Sequence, residues 1–315
     1  MYENQLIISA VDGNGQIIAS QPYAEFIYGK KNLEILNYYT GQKLFDILHD
    51  DLGKIRFEDN KFVLKSIYLM SPLQTTMNLL GKIAEAVIVR RCVENEDINK
   101  KWLSVARRKK AKAKTAERFM AVGTGLIKTK QQYPQYYNPS DTQRDIIWVD
   151  DDGMRAMIKT SSISGLEAGL QVKVSRKGMG YFFNDLCNLR YEVPVVYFDI
   201  AHDYDKVARE LLMNQAFQGM PSDEIILEKN FVRASAIDYQ GYEEVCLYEE
   251  LVMALIKGKI TVDSLLNHKI VENSNTMKNS IISATMSQLP IQNIILKSWC
   301  ECVVKKKYTY EWCEI

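Results

Sequence analysis

Two short apolar runs constrain this chain more than any other feature. Asp145-Ile-Ile-Trp-Val149 opens on an acid, and Gly169-Leu-Gln-Val-Lys-Val-Ser175 carries an amide and an ammonium two residues apart. Both runs read as β-strands. The side-chain period of a strand is two, so Gln171 and Lys173 project from one face. A carboxylate beside such a pair is what a Mg²⁺-dependent phosphodiesterase needs. The carboxylate binds the metal, and the lysine steadies the attacking water or the charge that develops on phosphorus.

With 315 residues, the chain has room for two or three compact units or one elaborated domain. An apolar content of 47% and a charged content of 25% are those of an ordinary globular protein. The net charge of +1 gives no global polycation argument for nucleic acid. Residues 201–315 are net acidic and the first 200 net basic, so the candidate chemistry lies in the more basic part. The opening Met1-Tyr2-Glu3-Asn4 predicts no secretory signal, and no window approaches the length of an apolar membrane span. A cytoplasmic location without membrane contact is expected. Cysteines 92, 187, 246, 300, 302 and 313 and histidines 49, 202 and 268 show no zinc-ligand spacing, so reduced thiols are expected. No phosphate-cradling glycine loop is present. ATP hydrolysis, if the activity needs it, would come from a partner protein.

Along the chain, residues 5–19 read as a hairpin around Asp12-Gly-Asn-Gly15, residues 33–50 as a helix, and residues 55–69 as strand. Residues 1–72 are expected to form a small α+β module. Ser71-Pro72 marks a boundary, and an apolar stripe through Leu79, Leu80, Ile83, Val87 and Ile88 predicts a helix over 73–92, with Glu85 near the edge of that stripe. Strands are predicted within 119–127 and at 145–149, 169–175 and 193–198, with a helix over 180–190. Residues 201–315 are expected to be mostly helical, with helices near 203–216, 222–230, 242–257, 261–267 and 274–300. Trp148 is expected in the core.

The segment 100–118 holds nine Lys/Arg against one Glu. Between Val105 and Ala116 its apolar residues are only alanines, so a solvated run is expected. Arg107, Arg108, Lys109, Lys110, Lys112 and Lys114, with Arg176 and Lys177 after the catalytic strand, are candidates for tracking the phosphates of a nucleic acid.

Helix, three strands, helix and strand, carrying Glu85, Asp145, Gln171 and Lys173 in that order, resemble the PD-(D/E)XK nuclease superfamily. The resemblance runs from about residue 75 to 200. It implies an α/β fold with a restriction-endonuclease-like core, a mixed sheet flanked by helices, over residues 73–200. Two features depart from the family pattern. Gln171 stands where the third-strand acid is usual, as in the variant similar to Mrr-type enzymes, and this removes a negative charge. Residues 154–168 lengthen the connection between the two site strands, which leaves Asp150 as a rival metal-binding acid. The resemblance implies that Asp145, the Gln171 amide oxygen, the Val172 carbonyl and Glu85 hold Mg²⁺ or Mn²⁺, and that Lys173 orients the nucleophilic water. The implied activity is endonucleolytic hydrolysis, chiefly of DNA, in a bacterial restriction or anti-phage setting, as a homo-oligomer or with a partner protein. A nuclease acting on RNA, or a binding or scaffold protein that has lost cleavage, are the alternatives.

Overall fold

The computed structural model describes residues 6–11, 17–22, 33–65, 71–158, 165–176, 183–188, 190–217, 230–266, 281–286 and 312–313. The chain divides into two compact units. Residues 1–49, 54–66 and 254–315 form one, and residues 50–53 and 67–253 form the other. Among the described residues no helix is long and apolar enough to cross a membrane.

In the first unit, β1 (Leu6–Val11) and β2 (Ile17–Pro22) form the expected antiparallel hairpin. Helix α1 (Leu33–Asp46) follows and widens into a π-helical turn at Ile47–Asp51. The hairpin of β3 (Ile55–Glu58) and β4 (Lys61–Leu64) turns at Asp59 and Asn60, both at positive φ. Left-handed backbone at both central residues is the turn that matches strand twist. Residues 281–286, expected within a helix, instead form a strand that pairs antiparallel with β1, and Trp312–Cys313 pairs parallel to it. Local propensity gave way to a distant pairing partner. The N-terminal module therefore does not end at residue 72; it draws strands from the C-terminal region. Of the helix expected at 222–230, residues 222–229 lie outside the described residues.

The second unit is built on α2 (Pro72–Glu94). Ser71 caps it, its hydroxyl accepting from the Gln74 amide at 3.2 Å, and Pro72 takes the first turn, where a missing N–H costs nothing. Every residue from Ile83 to Ile88 is buried, so the middle of this helix is covered all round rather than on one stripe. Glu85 is thus an interior residue, not a rim residue. Helix α3 (Glu96–Ala106) is capped by Asn95 and buries Trp102 and Leu103. Buried Asn99 ties the layer together. Its amide nitrogen donates to the carbonyls of Ala116 and Phe119, and its oxygen accepts from Trp148 Nε1 at 2.8 Å.

After the short α4 (Ala113–Arg118) comes a five-stranded sheet of β5 (Phe119–Gly123), β6 (Ile146–Asp150), β7 (Gly169–Ser175), β8 (Val195–Asp199) and β9 (Phe231–Arg233), side by side in that order. The first three are antiparallel neighbours, and β8 and β9 run parallel to β7. The three-residue β9 was not anticipated. It is too short to show alternation before α5 (Ala234–Ile237) and α6 (Tyr239–Ile256) follow. Val195, Tyr197 and Phe231 pack with Leu186 and Cys187 of a short helix at Phe183–Cys187 and with Val207 and Leu211 of the helix Tyr204–Phe217. Fully burying one such aromatic ring stabilises the fold by roughly 2–3 kcal/mol.

Candidate active site

The site forms where the β6–β7 ladder stops. Ile147 pairs with Gly169 and Ile146 with Leu170. A Cβ on Gly169 would lie 2.9 Å from the Ile146 carbonyl oxygen, so only glycine lets the strands approach this closely. The Asp145 amide still donates to Leu170 O at 2.8 Å, but from Gln171 onward β7 turns to β8. The register would next bring residue 144 opposite Val172. The Arg144 carbonyl is instead taken by Thr124 Oγ1 at 2.7 Å. Asp145 supplies the missing acceptor with its side chain. Its Oδ2 accepts from the Val172 amide at 2.8 Å and from Gln171 Nε2. Val172 therefore meets the site through its N–H, where its carbonyl had been expected to act.

From α2, Glu85 reaches the same point. Lys82, three residues earlier and on the same helix face, donates to Glu85 Oε1 at 2.6 Å and lies 3.8 Å from Asp145 Oδ1. Gly125 lies beside the pair. A Cβ there would stand 3.5 Å from Lys82 Nζ and 3.7 Å from Glu85 Oε2. Two buried oxygens, Glu85 Oε2 and Gln171 Oε1, accept no hydrogen bond.

Burial shapes the electrostatics. It raises the Glu85 carboxyl to about 8, with the neighbouring Asp145 charge adding to the rise and Lys82 opposing it. Burial also raises Asp145, against the pull of Lys82 and the Val172 N–H. Burial works against the Lys82 ammonium too, but the Glu85 and Asp145 carboxylates outweigh it and hold its pKa above the ordinary lysine value. Lys173 goes the other way. Burial lowers it more than the Asp145 and Asp185 carboxylates can restore. Its ammonium sits 5.2 Å from the centre of the Tyr191 ring, a cation–π distance, and the Tyr191 hydroxyl donates to Asp185 at 3.0 Å.

Glu85, Asp145, Gln171 and Lys173, all picked out in the sequence, thus belong to one neighbourhood. Lys82, Gly125 and Tyr191 were missed. The Lys82-x-x-Glu85 spacing inside the apolar stretch from Leu79 to Val89 was the available signal for the first.

Asp150 lies apart from this cluster. Its Oδ2 accepts from Arg118 at 2.6 and 3.0 Å, and its Oδ1 accepts from the Met154 amide at 2.7 Å, so it fastens the turn that follows β6. The basic run is not uniformly solvated. Arg107 Nε donates to Met157 O at 3.4 Å, and Arg108 donates to Glu192 O at 2.8 Å from a left-handed backbone position. Burial lowers the pKa of both. Lys109, Lys110, Lys112 and Lys114 are exposed as expected. Arg176 pairs with Glu249 at 2.5 Å, and Lys177 lies outside the described residues.

Among the described residues no three His, Cys, Asp or Glu side chains cluster in a metal-binding group. The donors here are two carboxylates and one amide. Glu85 Oε2 and Gln171 Oε1 are buried without a hydrogen-bond donor, and Asp145 Oδ1 lies 3.8 Å from Lys82; all three are oxygens, the donor class that hard divalent cations take. Mg²⁺ keeps several of its own waters, so few protein ligands suffice. The arrangement can hold a cation against two carboxylates while placing an ammonium beside it. Compared with protein-family models, curated proteins and solved structures, the chain finds no match.

Proposed function

We propose that the chain is a metal-dependent endonuclease that hydrolyses phosphodiester bonds in DNA, with Glu85, Asp145, Gln171 and Lys173 as its centre. The observation that carries this reading is the buried convergence of Glu85 and Asp145 with the Gln171 amide, where Glu85 Oε2 and Gln171 Oε1 accept no hydrogen bond, beside a half-buried lysine. The order of helix and strands, with an antiparallel β5–β6–β7 meander followed by parallel β8, supports a restriction-endonuclease-like core.

In this reading Asp145, Glu85 and Gln171 would hold Mg²⁺ or Mn²⁺ through their oxygens. Bound there, the ion supplies Lewis-acid polarisation of the phosphoryl group. Gln171 keeps the Asp145 carboxylate aimed by donating to Oδ2, leaving Oδ1 for the site. Lys173 orients the attacking water and offsets the negative charge that grows on the phosphoryl oxygens. Tyr191 beneath the ammonium limits where Lys173 can swing.

A second reading, a nucleic-acid-binding protein without cleavage, draws on one observation: the third acidic position is the amide Gln171. Incubating the protein with plasmid, single-stranded DNA and RNA under Mg²⁺, Mn²⁺ or EDTA separates the two. Metal-dependent breakage of DNA is expected. Binding without breakage under every condition would leave the second reading standing, and breakage of RNA alone would change the substrate.

A further inference from the structure

Two buried carboxyl groups, Glu85 and Asp145, lie at the end of the β6–β7 ladder, and among the described residues the ion pairs of both run to Lys82. A carboxylate removed from water needs a counter-ion, and the one nearest Asp145 is the Lys82 ammonium that also hydrogen-bonds Glu85. Lys173, the lysine that the sequence pattern singled out, rests on the Tyr191 ring. The bridging is done by Lys82, whose ammonium spans Glu85 Oε1 and Asp145 Oδ1.

Resting on the nuclease reading above, we infer that Lys82 is a resident counter-ion, filling the cation position between Glu85 and Asp145, and that a divalent cation must displace it outward to bind. Lys82 thereby sets the metal affinity of the site. A divalent cation held at about 2.0–2.1 Å by these oxygens would face an ammonium already seated on one of them. The side chain has a way out. It is 37% exposed, while the Glu85 side chain is only 4% exposed and sits within the fully buried stretch Ile83–Ile88 of the helix. Gly125 leaves the space beside Nζ unfilled, and a lysine stem has four rotatable carbons with which to swing clear. Once displaced, the ammonium remains at the rim, where the phosphate of a substrate would arrive.

Titration of the full chain with Mn²⁺, followed by electron paramagnetic resonance of the free ion, tests this in wild type, Lys82→Met and Lys173→Met. Lys82→Met should bind Mn²⁺ about tenfold more tightly than wild type or tighter, a coupling of ordinary size for two competing ligands, and more tightly than Lys173→Met. Amine-directed labelling of the wild-type protein, read by mass spectrometry, needs no variant. Modification of Lys82 should rise with Mn²⁺ and share its midpoint with binding. Mn²⁺ binding in both proteins with equal or weaker affinity in Lys82→Met, or labelling that Mn²⁺ leaves unchanged, overturns the inference and leaves the nuclease reading intact. Absence of Mn²⁺ binding in every variant overturns both.

Discussion

The Gln171 side-chain amide donates to Asp145 Oδ2 while its own oxygen lies buried and unpartnered. A carboxylate at this position could not donate, and it would add a third acid to a buried pair. The amide steadies Asp145 at the expense of one ligand charge. Gln171→Glu should therefore lower the melting temperature in EDTA and recover it with Mn²⁺. Gln171→Leu should lose the donor with no recovery. Losing a hydrogen bond to a charged group costs about 1.5–3 kcal/mol, and in a domain of this size 1 kcal/mol shifts Tm by roughly 2–4 °C. A Gln171→Glu protein as stable in EDTA as wild type would mean that Asp145 does not depend on this donor.

Lys173→Ala should fold normally and lose DNA cleavage by about a hundredfold or more, the scale of removing one group that stabilises transition-state charge. Its ammonium rests on a ring face rather than filling a packed cavity, so circular dichroism and the melting temperature should change little. Full cleavage by a folded Lys173→Ala protein would remove the lysine from the mechanism.

Asp145 and Asp150 bracket one strand but do different work, and their asparagine variants should fail differently. Asp145→Asn removes a charge from the candidate cation site and should weaken Mg²⁺ binding. Asp150→Asn removes the partner of Arg118 and should loosen the turn at 150–154 while leaving Mg²⁺ affinity near wild type. Calorimetric titration alongside thermal melts distinguishes them. The reverse ranking would move the metal site by five residues along β6.

Glu85 gives a pH signature. Its carboxyl, ordinarily near 4.5, is held at about 8 in the fold by burial and by the Asp145 charge. A raised carboxyl disfavours its own ionisation, so the folded state retains a proton that the unfolded chain releases. Stability then falls as pH rises from about 4.5 to about 8. Glu85→Gln cannot titrate and should escape this loss. In EDTA the variant should gain on wild type steadily across that window, measured by urea unfolding at a series of pH values. Parallel curves for the two proteins would show that Glu85 is already ionised in the fold at low pH.

Sequence periodicity located the two strands and their polar groups because the signal is local. Gln171 and Lys173 stand on one face whatever the strand pairs with, and β7 runs over the predicted residues. Depth of burial is not local. Glu85 looked like a rim residue because the apolar stripe of its helix is narrow, yet other elements cover that helix on its remaining sides. Lys82 was not singled out, because only the end of the β6–β7 ladder brings Asp145 to it. Arg107 and Arg108 looked free because their acceptors, the carbonyls of Met157 and Glu192, are distant in sequence. The strand at 281–286 was hidden for the same reason, since its partner lies at the other end of the chain.

The division within the basic run sharpens the nucleic-acid prediction. Arg107 and Arg108 hold backbone carbonyls, whereas Lys109, Lys110, Lys112 and Lys114 are exposed. Replacing the four lysines with glutamine should weaken DNA binding without altering the fold. For every phosphate that the variant no longer neutralises, the dependence of log K on log salt should flatten by about 0.9. Replacing Arg107 and Arg108 should instead lower the melting temperature, because these carbonyls would be left without their donors. Fluorescence anisotropy with a short duplex at several salt concentrations reads the first effect, and a thermal melt reads the second. Exposed lysines act on phosphates through charge and carry no base identity, so the weakening should be similar for unrelated duplex sequences. Unchanged affinity and slope in the four-lysine variant would separate this segment from the substrate path and leave phosphate recognition to other surfaces of the unit.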